Sequence, residues 1–187
     1  KPDSTDDFPT SREEWTAFVA QSHKTQSALL ERIKELNCLY GITRLAQRVD
    51  QPLDVLLTGI ADLIRASWQY PDITCASIRL GDARHCSENF LHTSWSQASP
   101  IIIQGEECGE VEVCYLEERP ECDEGPFLRE ERSLIDAVAD LVGRIVAQRR
   151  AEEQMRVLSQ ELIMAQENER QRIARELHDH LAQDLSL

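Results

Sequence analysis

The chain has 187 residues, with 34 acidic against 20 basic side chains and a net charge of −14. A phosphate backbone would be repelled by that balance, which argues against nucleic acid as a partner. The hydrophobic content of 41% and mean hydropathy of −0.43 fit a soluble globular protein, either one compact domain with helical extensions or two small domains. No apolar run approaches the roughly 18 residues of a membrane span and no signal peptide is visible. A cytoplasmic location is therefore expected, with membrane contact not visible in the sequence and any anchor lying upstream of Lys1. A first residue that is not methionine, and a helical pattern still uncapped at Leu187, point to a piece of a longer protein. The six cysteines, in a chain large enough to build a core, are expected as reduced thiols.

Residues 1–10 are acidic, polar and patternless, and are expected to fray. A helix then starts at the capping box Ser11-Arg12-Glu13-Glu14, where a hydroxyl and a carboxylate can satisfy the first amides reciprocally. Trp15, Phe18, Val19, Leu29, Ile33, Leu36 and Tyr40 keep helical spacing and give it one sticky face. The pattern runs to about Val49, with Gly41 as a weak point. Pro52, well tolerated in a first helical turn, opens a second amphipathic helix carrying Leu53, Val55, Leu56, Ile60, Leu63 and Ile64 and ending near Trp68.

From Ile73 the pattern changes to short β-type runs. Ile73 to Leu80 and Ala83 to about Ser87 flank a Gly81-Asp82 turn. Pro100 to Gln104 and Gly109 to Leu116 form an antiparallel hairpin joined through the turn Gly105 to Gly109. The stretch Phe90 to Ser99 adds one more strand or only a loop. An acidic loop from Glu117 to Pro126 follows, and then one helical pattern from Phe127 to the end. Its apolar positions include Leu134, Ile135, Val138, Leu141, Val142, Ile145 and Val146. After a polar stretch from Gln148 to Gln154, apolar spacing resumes at Met155, Leu158, Leu162, Ala165, Ile173, Leu177 and Leu181, the three-four rhythm of a coiled-coil seam. Arginines interleaved with acids cover the rest of that surface. The fold class is α+β: an antiparallel sheet flanked by helices, with a long C-terminal coiled-coil helix.

The run Tyr115-Leu116-Glu117-Glu118-Arg119-Pro120, then Gly125-Pro126-Phe127-Leu128 and Glu130 to Asp136, resembles the end of a GAF domain, where the last strand leads through a short loop into a helix that packs across the sheet. The resemblance covers about residues 25 to 150. It implies a signalling module that binds a small molecule or metal cofactor, or simply dimerises. Only Glu88 to Ser99 stands where many members insert helices that wall off a ligand, so a deep nucleotide pocket is not expected. The division this gives is a frayed segment at 1–10, an N-terminal signalling helix at 11–36, a GAF-like sensor at 37–147, and a coiled-coil linker with a first phosphoacceptor helix at 148–187.

The chemistry concentrates in Glu169-Arg170-Gln171-Arg172-Ile173-Ala174-Arg175-Glu176-Leu177-His178-Asp179, with Gln183 beyond it. Imidazole keeps a free lone pair near physiological pH for attack on phosphorus, and a neighbouring carboxylate raises its basicity and selects its tautomer. Asp179 and Gln183, four apart, share one helix face. A glutamine there can hold a water without being a base. Ile173, Leu177 and Leu181 bury toward a partner helix, leaving His178 about 100° round from Leu177.

This box closely resembles the phosphoacceptor box of sensor histidine kinases of the HisKA_3 type, whose box reads His-Asp followed by Gln. The resemblance implies that His178 is phosphorylated, that Asp179 is the general base or orienting acid, and that Gln183 positions a water for dephosphorylating a response regulator. It also implies ATP and Mg²⁺ as cofactors, held by a separate ATP-binding domain of the same protein, because no phosphate-binding loop is present here. The fragment alone would then lack kinase activity. A parallel homodimer and a response regulator are the expected partners. His180, outside the matched positions, reads as a surface histidine.

Cys75, Cys86, Cys108 and Cys114 fall on or beside expected strands, with His85 and His92 nearby, and thiolates with imidazoles can bind zinc, an iron–sulfur cluster or haem. No Cys-x-x-Cys pair is present, so small buried apolar cysteines are the plainer expectation. Trp15, Trp68, Trp95, Tyr40, Tyr70 and Tyr115 are expected in core or interface packing rather than around a ligand. The alternative to a kinase segment is a non-catalytic ligand-binding and dimerisation module with coiled-coil output, with a redox or metal sensor as one form of it.

Overall fold

The computed structural model describes residues 11–48 and 51–184, without the side chains at 13, 14, 17, 20, 23, 24, 27 and 176–184. The expectations for residues 1–10, for Val49 and for the end at Leu187 lie outside the described residues. The elements in order are α1 (Arg12–Ala46), α2 (Leu53–Ser67), β1 (Thr74–Leu80), β2 (Ala83–Cys86), β3 (Ser96–Ile103), β4 (Glu106–Tyr115) and α3 (Arg129–Asp184). The class is α+β, with a four-stranded antiparallel sheet in the order β2-β1-β4-β3. The chain divides into two compact units, Lys1–Gly143 and Arg144–Leu187. No helix of the described residues is long and apolar enough to cross a membrane.

Helix α1 begins where the capping box places it, with the Ser11 carbonyl accepting from the Trp15 amide at 3.0 Å. It runs through positions 36 and 37 without a break and also through Gly41. That glycine is not a weak point. A Cβ there would meet the Leu63 Cδ1 of α2 at 3.1 Å, and one on Gly59 would meet Leu45 at 3.3 Å. Two missing side chains let α1 and α2 pack closely, and Cys38 and Ile42 are buried beside them. The sticky face expected from Trp15 to Tyr40 has a different fate. Trp15, Phe18, Val19, Leu29, Ile33, Leu36 and Tyr40 are all exposed, from 45% at Ile33 to 65% at Tyr40. Apolar spacing identified a stripe correctly but could not say whether this chain covers it.

Strands β1 and β4 are central and β3 is an edge. This explains how Pro100, which has no amide proton to donate, fits inside a strand. β3 starts at Ser96 rather than Pro100 and alternates exposed and buried along its whole length, so the only loop in the uncertain stretch is the part before it. The hairpin turn is tighter than the expected Gly105 to Gly109. It consists of Gln104 and Gly105, both with positive φ, the geometry that matches the twist of two-residue hairpins. Gly109 lies within β4 instead, opposite Leu80, and the register to β3 shifts beside it between Ile101 and Ile102. A Cβ on Gly109 would stand 1.9 Å from the Arg79 carbonyl oxygen. The glycine is required by backbone approach, not by a turn.

One sheet face carries Ala76, Ile78, Val111, Val113 and Tyr115, all buried. The α2 residues Leu56, Leu57, Ile60, Ala61 and Ile64 are buried as well. Tyr115 stacks on Phe127, with centroids 4.5 Å apart, and meets Tyr70 edge-on at 5.6 Å. Its hydroxyl donates to the buried Glu131 carboxylate at 2.9 Å. Glu131 also accepts from the amides of Gln69 and Leu128, each at 2.9 Å. One carboxylate thus ties the end of α2, the last strand and the start of α3. Burial holds its pKa above the ordinary carboxylate range, against the pull of those three donors. Arg132 pairs with Glu124 and donates to the Ala98 carbonyl at 2.7 Å, fastening the α3 start to the edge strand.

Gly109→Ala should cost about 3 kcal/mol, the upper end of overpacking penalties, measured as a fall in the urea midpoint without a change in slope. Glu131→Ala leaves a buried hydroxyl and two amides without their acceptor, and should cost about 1–3 kcal/mol in the same measurement.

Candidate functional site

Two regions carry the candidate residues, one in each unit, and each is described by itself. In the second unit, α3 continues as helix to Asp184. His178, Asp179 and Gln183 lie on that helical backbone, and their side chains lie outside the described residues, as do those of His180, Leu177 and Leu181. The turns before them are described. Met155, Leu158, Leu162 and Ile173 are exposed, at 72%, 56%, 66% and 45%. An apolar stripe therefore runs along a helix that also carries exposed ion pairs: Arg156 meets Glu153 at 2.9 Å and Arg172 meets Glu169 at 2.6 Å. Exposed i,i+3 pairs of this kind contribute little stability each. Their consequence is that the charged faces are solvated while the apolar stripe is left over for a partner.

In the first unit the second face of the sheet is polar and covered by the segment 87–95. Strand alternation places Cys75 and Ser77 of β1 beside Glu112 and Cys114 of β4, in the direct pairs Cys75↔Cys114 and Ser77↔Glu112. All four are buried. The covering segment is tied down at each end. The Ser87 hydroxyl accepts from the Ala76 amide at 3.0 Å, the Asn89 side-chain amide donates to the Thr74 carbonyl at 3.0 Å, and the Thr93 hydroxyl donates to the Tyr115 carbonyl at 2.8 Å. Between these anchors the Leu91 amide donates to Cys75 Sγ at 3.5 Å, and His92 Nδ1 lies 2.8 Å from Glu112 Oε1. The other carboxylate oxygen, Oε2, accepts from Ser77 Oγ and from the Arg84 guanidinium, both at 3.4 Å. Arg84 in turn lies over the Phe90 ring, 5.6 Å from its centroid.

The facing Cys114 thiol holds the Cys75 thiol below its ordinary range, while that same pairing and burial push Cys114 up. Burial also raises Cys86 and Cys38. All six cysteines are free thiols, and Cys122 is the exposed one.

Of the six residues singled out as metal or redox candidates, the fold gathers three. Cys75, Cys114 and His92 meet around Glu112. Cys86 sits one strand over, opposite Ser77. Cys108 is at the β4 irregularity, its carbonyl accepting from Gly81. His85, paired with Ile78, is on the helix side, with Nε2 3.9 Å from Asp54. Strand parity sends His85 to the opposite face, Cys108 is six residues along β4 from Cys114, and Cys86 shares the cluster's face from the neighbouring strand. Glu112 was missed by the sequence reading. The signal was present in Glu110-Val111-Glu112-Val113-Cys114, where period two puts both acids and the cysteine on one face. Among the aromatics, Trp68 and Tyr115 are core and Trp15 and Tyr40 are exposed.

The model of the HisKA_3 family, described as "Histidine kinase", matches residues 169–187. No curated protein matches the chain. The match supports a histidine kinase dimerisation and phosphoacceptor region at the C-terminal end, a class of transferase that works as dimers with response regulators in two-component signalling.

Proposed function

We propose that this chain is the sensor and phosphoacceptor segment of a two-component sensor histidine kinase. His178 is the acceptor that is phosphorylated from ATP and passes phosphate to an aspartate of a response regulator. Asp179 orients the imidazole and takes up its proton, and Gln183 positions the water that later removes phosphate from the regulator. The observation that carries this reading is the family match over residues 169–187, at the end of a helix whose apolar stripe is exposed.

Residues 11–36 are read as a signalling and dimerisation helix, 37–147 as a GAF-like sensor and 148–187 as the linker and first phosphoacceptor helix. The support for the sensor is a four-stranded antiparallel sheet with helices on one face and a loop-covered polar face on the other. A signal there would alter the packing of α3 and so the access to His178; two seam packings close in energy make such an element bistable. The parallel homodimer is supported by the uncovered stripes on α1 and α3.

ATP and Mg²⁺ do not fit the described residues. Gly41, Gly59 and Gly143 lie in helices and Gly109 in a strand, while Gly81, Gly105 and Gly125 sit singly in turns, so none belongs to a phosphate-cradling loop. The nucleotide is assigned to a separate ATP-binding domain, and this chain alone is an acceptor without kinase activity. A second reading, a non-catalytic ligand-binding and dimerisation module, is favoured by the polar buried cluster on the sheet; it requires that His178, Asp179 and Gln183 be replaceable without effect on signalling.

Incubating the chain with a histidine kinase ATP-binding domain and γ-labelled ATP should give acid-labile, alkali-stable label that His178→Gln abolishes. Label retained in that variant defeats the assignment. Replacing Leu158 and Leu162 together with lysine should weaken the dimer by several kcal/mol, at about 2 kcal/mol or more per buried leucine lost. Sedimentation equilibrium reads the change, and an unaltered mass distribution counts against the seam.

A further inference from the structure

The cluster on the second face of the sheet is not used by phosphoryl transfer to His178, and its composition is uncommon for a merely structural patch. A ring nitrogen of His92, a carboxylate oxygen of Glu112 and Sγ of Cys114 all lie within 4.8 Å of one another. Cys75 stands directly across the ladder from Cys114, with its Sγ hydrogen-bonded to the Leu91 backbone of the covering segment. We propose that His92, Glu112, Cys114 and Cys75 form a binding site for a thiophilic divalent transition-metal ion of the zinc class.

The donor set selects the metal. Imidazole, thiolate and carboxylate together suit borderline-soft ions, whereas magnesium and calcium favour all-oxygen shells. Bonds of about 2.0–2.3 Å to a central ion put tetrahedral ligands roughly 3.3–3.8 Å apart, so His92, Glu112 and Cys114 need only a small adjustment, and Cys75 joins them from the adjacent strand. His92 can make it, being 67% exposed on a covering segment, whereas Glu112 is 9% exposed on a central strand. The supporting groups are already placed. Ser77 and Arg84 hold Oε2 of Glu112 and leave Oε1 directed at His92, and the backbones of Leu91 and Thr93 hydrogen-bond the two sulfurs. Orienting bonds of this kind are what metal ligands require. Charge closes as well: two thiolates and one carboxylate carry three negative charges, which a divalent ion and the Arg84 guanidinium neutralise. Binding releases the two thiol protons to solvent. The site would tie the segment 87–95 to the sheet, giving the first unit a ligand-dependent state.

The test is a Co²⁺ titration of the full chain under a non-thiol reductant, read by thiolate-to-cobalt charge-transfer absorption and the visible bands of tetrahedral cobalt. One equivalent should bind, and Zn²⁺ should displace it. His92→Ala, on the exposed segment, and the near-isosteric Cys114→Ser should each weaken binding by more than about tenfold, the lower bound for losing even an outer-shell partner. Cys122→Ser, which removes the exposed thiol, should leave the titration unchanged, and far-UV circular dichroism checks that each variant is folded. Absence of the charge-transfer band in the wild-type chain, an unchanged binding midpoint in folded His92→Ala or Cys114→Ser, or loss of the band in Cys122→Ser overturns the site. The readout involves no phosphate, so its failure leaves the assignment of His178 standing.

Discussion

The pairing of β1 with β4 is the constraint on which the first unit depends. Seven residue pairs, from Thr74↔Tyr115 to Leu80↔Gly109, join two central strands that are buried on both faces. Period-two alternation along this ladder sends Val111, Val113 and Tyr115 toward the helices and Glu112 and Cys114 toward the covering segment. A one-residue slip would exchange the faces, setting a carboxylate into the apolar core and separating the donor cluster. Gly109 guards that register at one end, because only a residue without Cβ tolerates the Arg79 carbonyl so near. Tyr115 guards it at the other, through its hydroxyl on Glu131.

Glu131 extends the same constraint to the helices. A buried carboxylate is costly unless its lone pairs are used, and here three donors from three chain segments converge on it. The start of α3 is therefore fixed to the sheet that carries the polar cluster, and α3 is the same helix that carries position 178. Ile145 and Val146 of α3 are still buried, and from position 150 to 175 the helix is exposed throughout.

Much of this architecture was legible in local sequence. The start of α1 after Ser11, Pro52 before α2, the Gly81-Asp82 turn, and the helix after Pro126 were all readable because each is set by chemistry within a few residues. The hairpin was readable as a hairpin but not in its turn, since Gly105 and Gly109 look alike in sequence. Only the neighbouring strand shows that the second glycine answers a backbone contact. Gly41 misled for the same reason, its role being an approach between two helices distant in sequence.

The sequence by itself determined the α+β order of elements and the candidate acceptor box, because helix and strand periodicities and a dense run of chemistry around His178 are local properties. Only the tertiary structure decided which face of each strand meets the helices, and hence that Cys75, His92, Glu112 and Cys114 gather while His85 and Cys108 stand apart. It also decided that the apolar stripe of α1 lies uncovered within this chain. Both outcomes rest on contacts between residues far apart in sequence, which depend on strand register and helix packing rather than on any single segment's pattern.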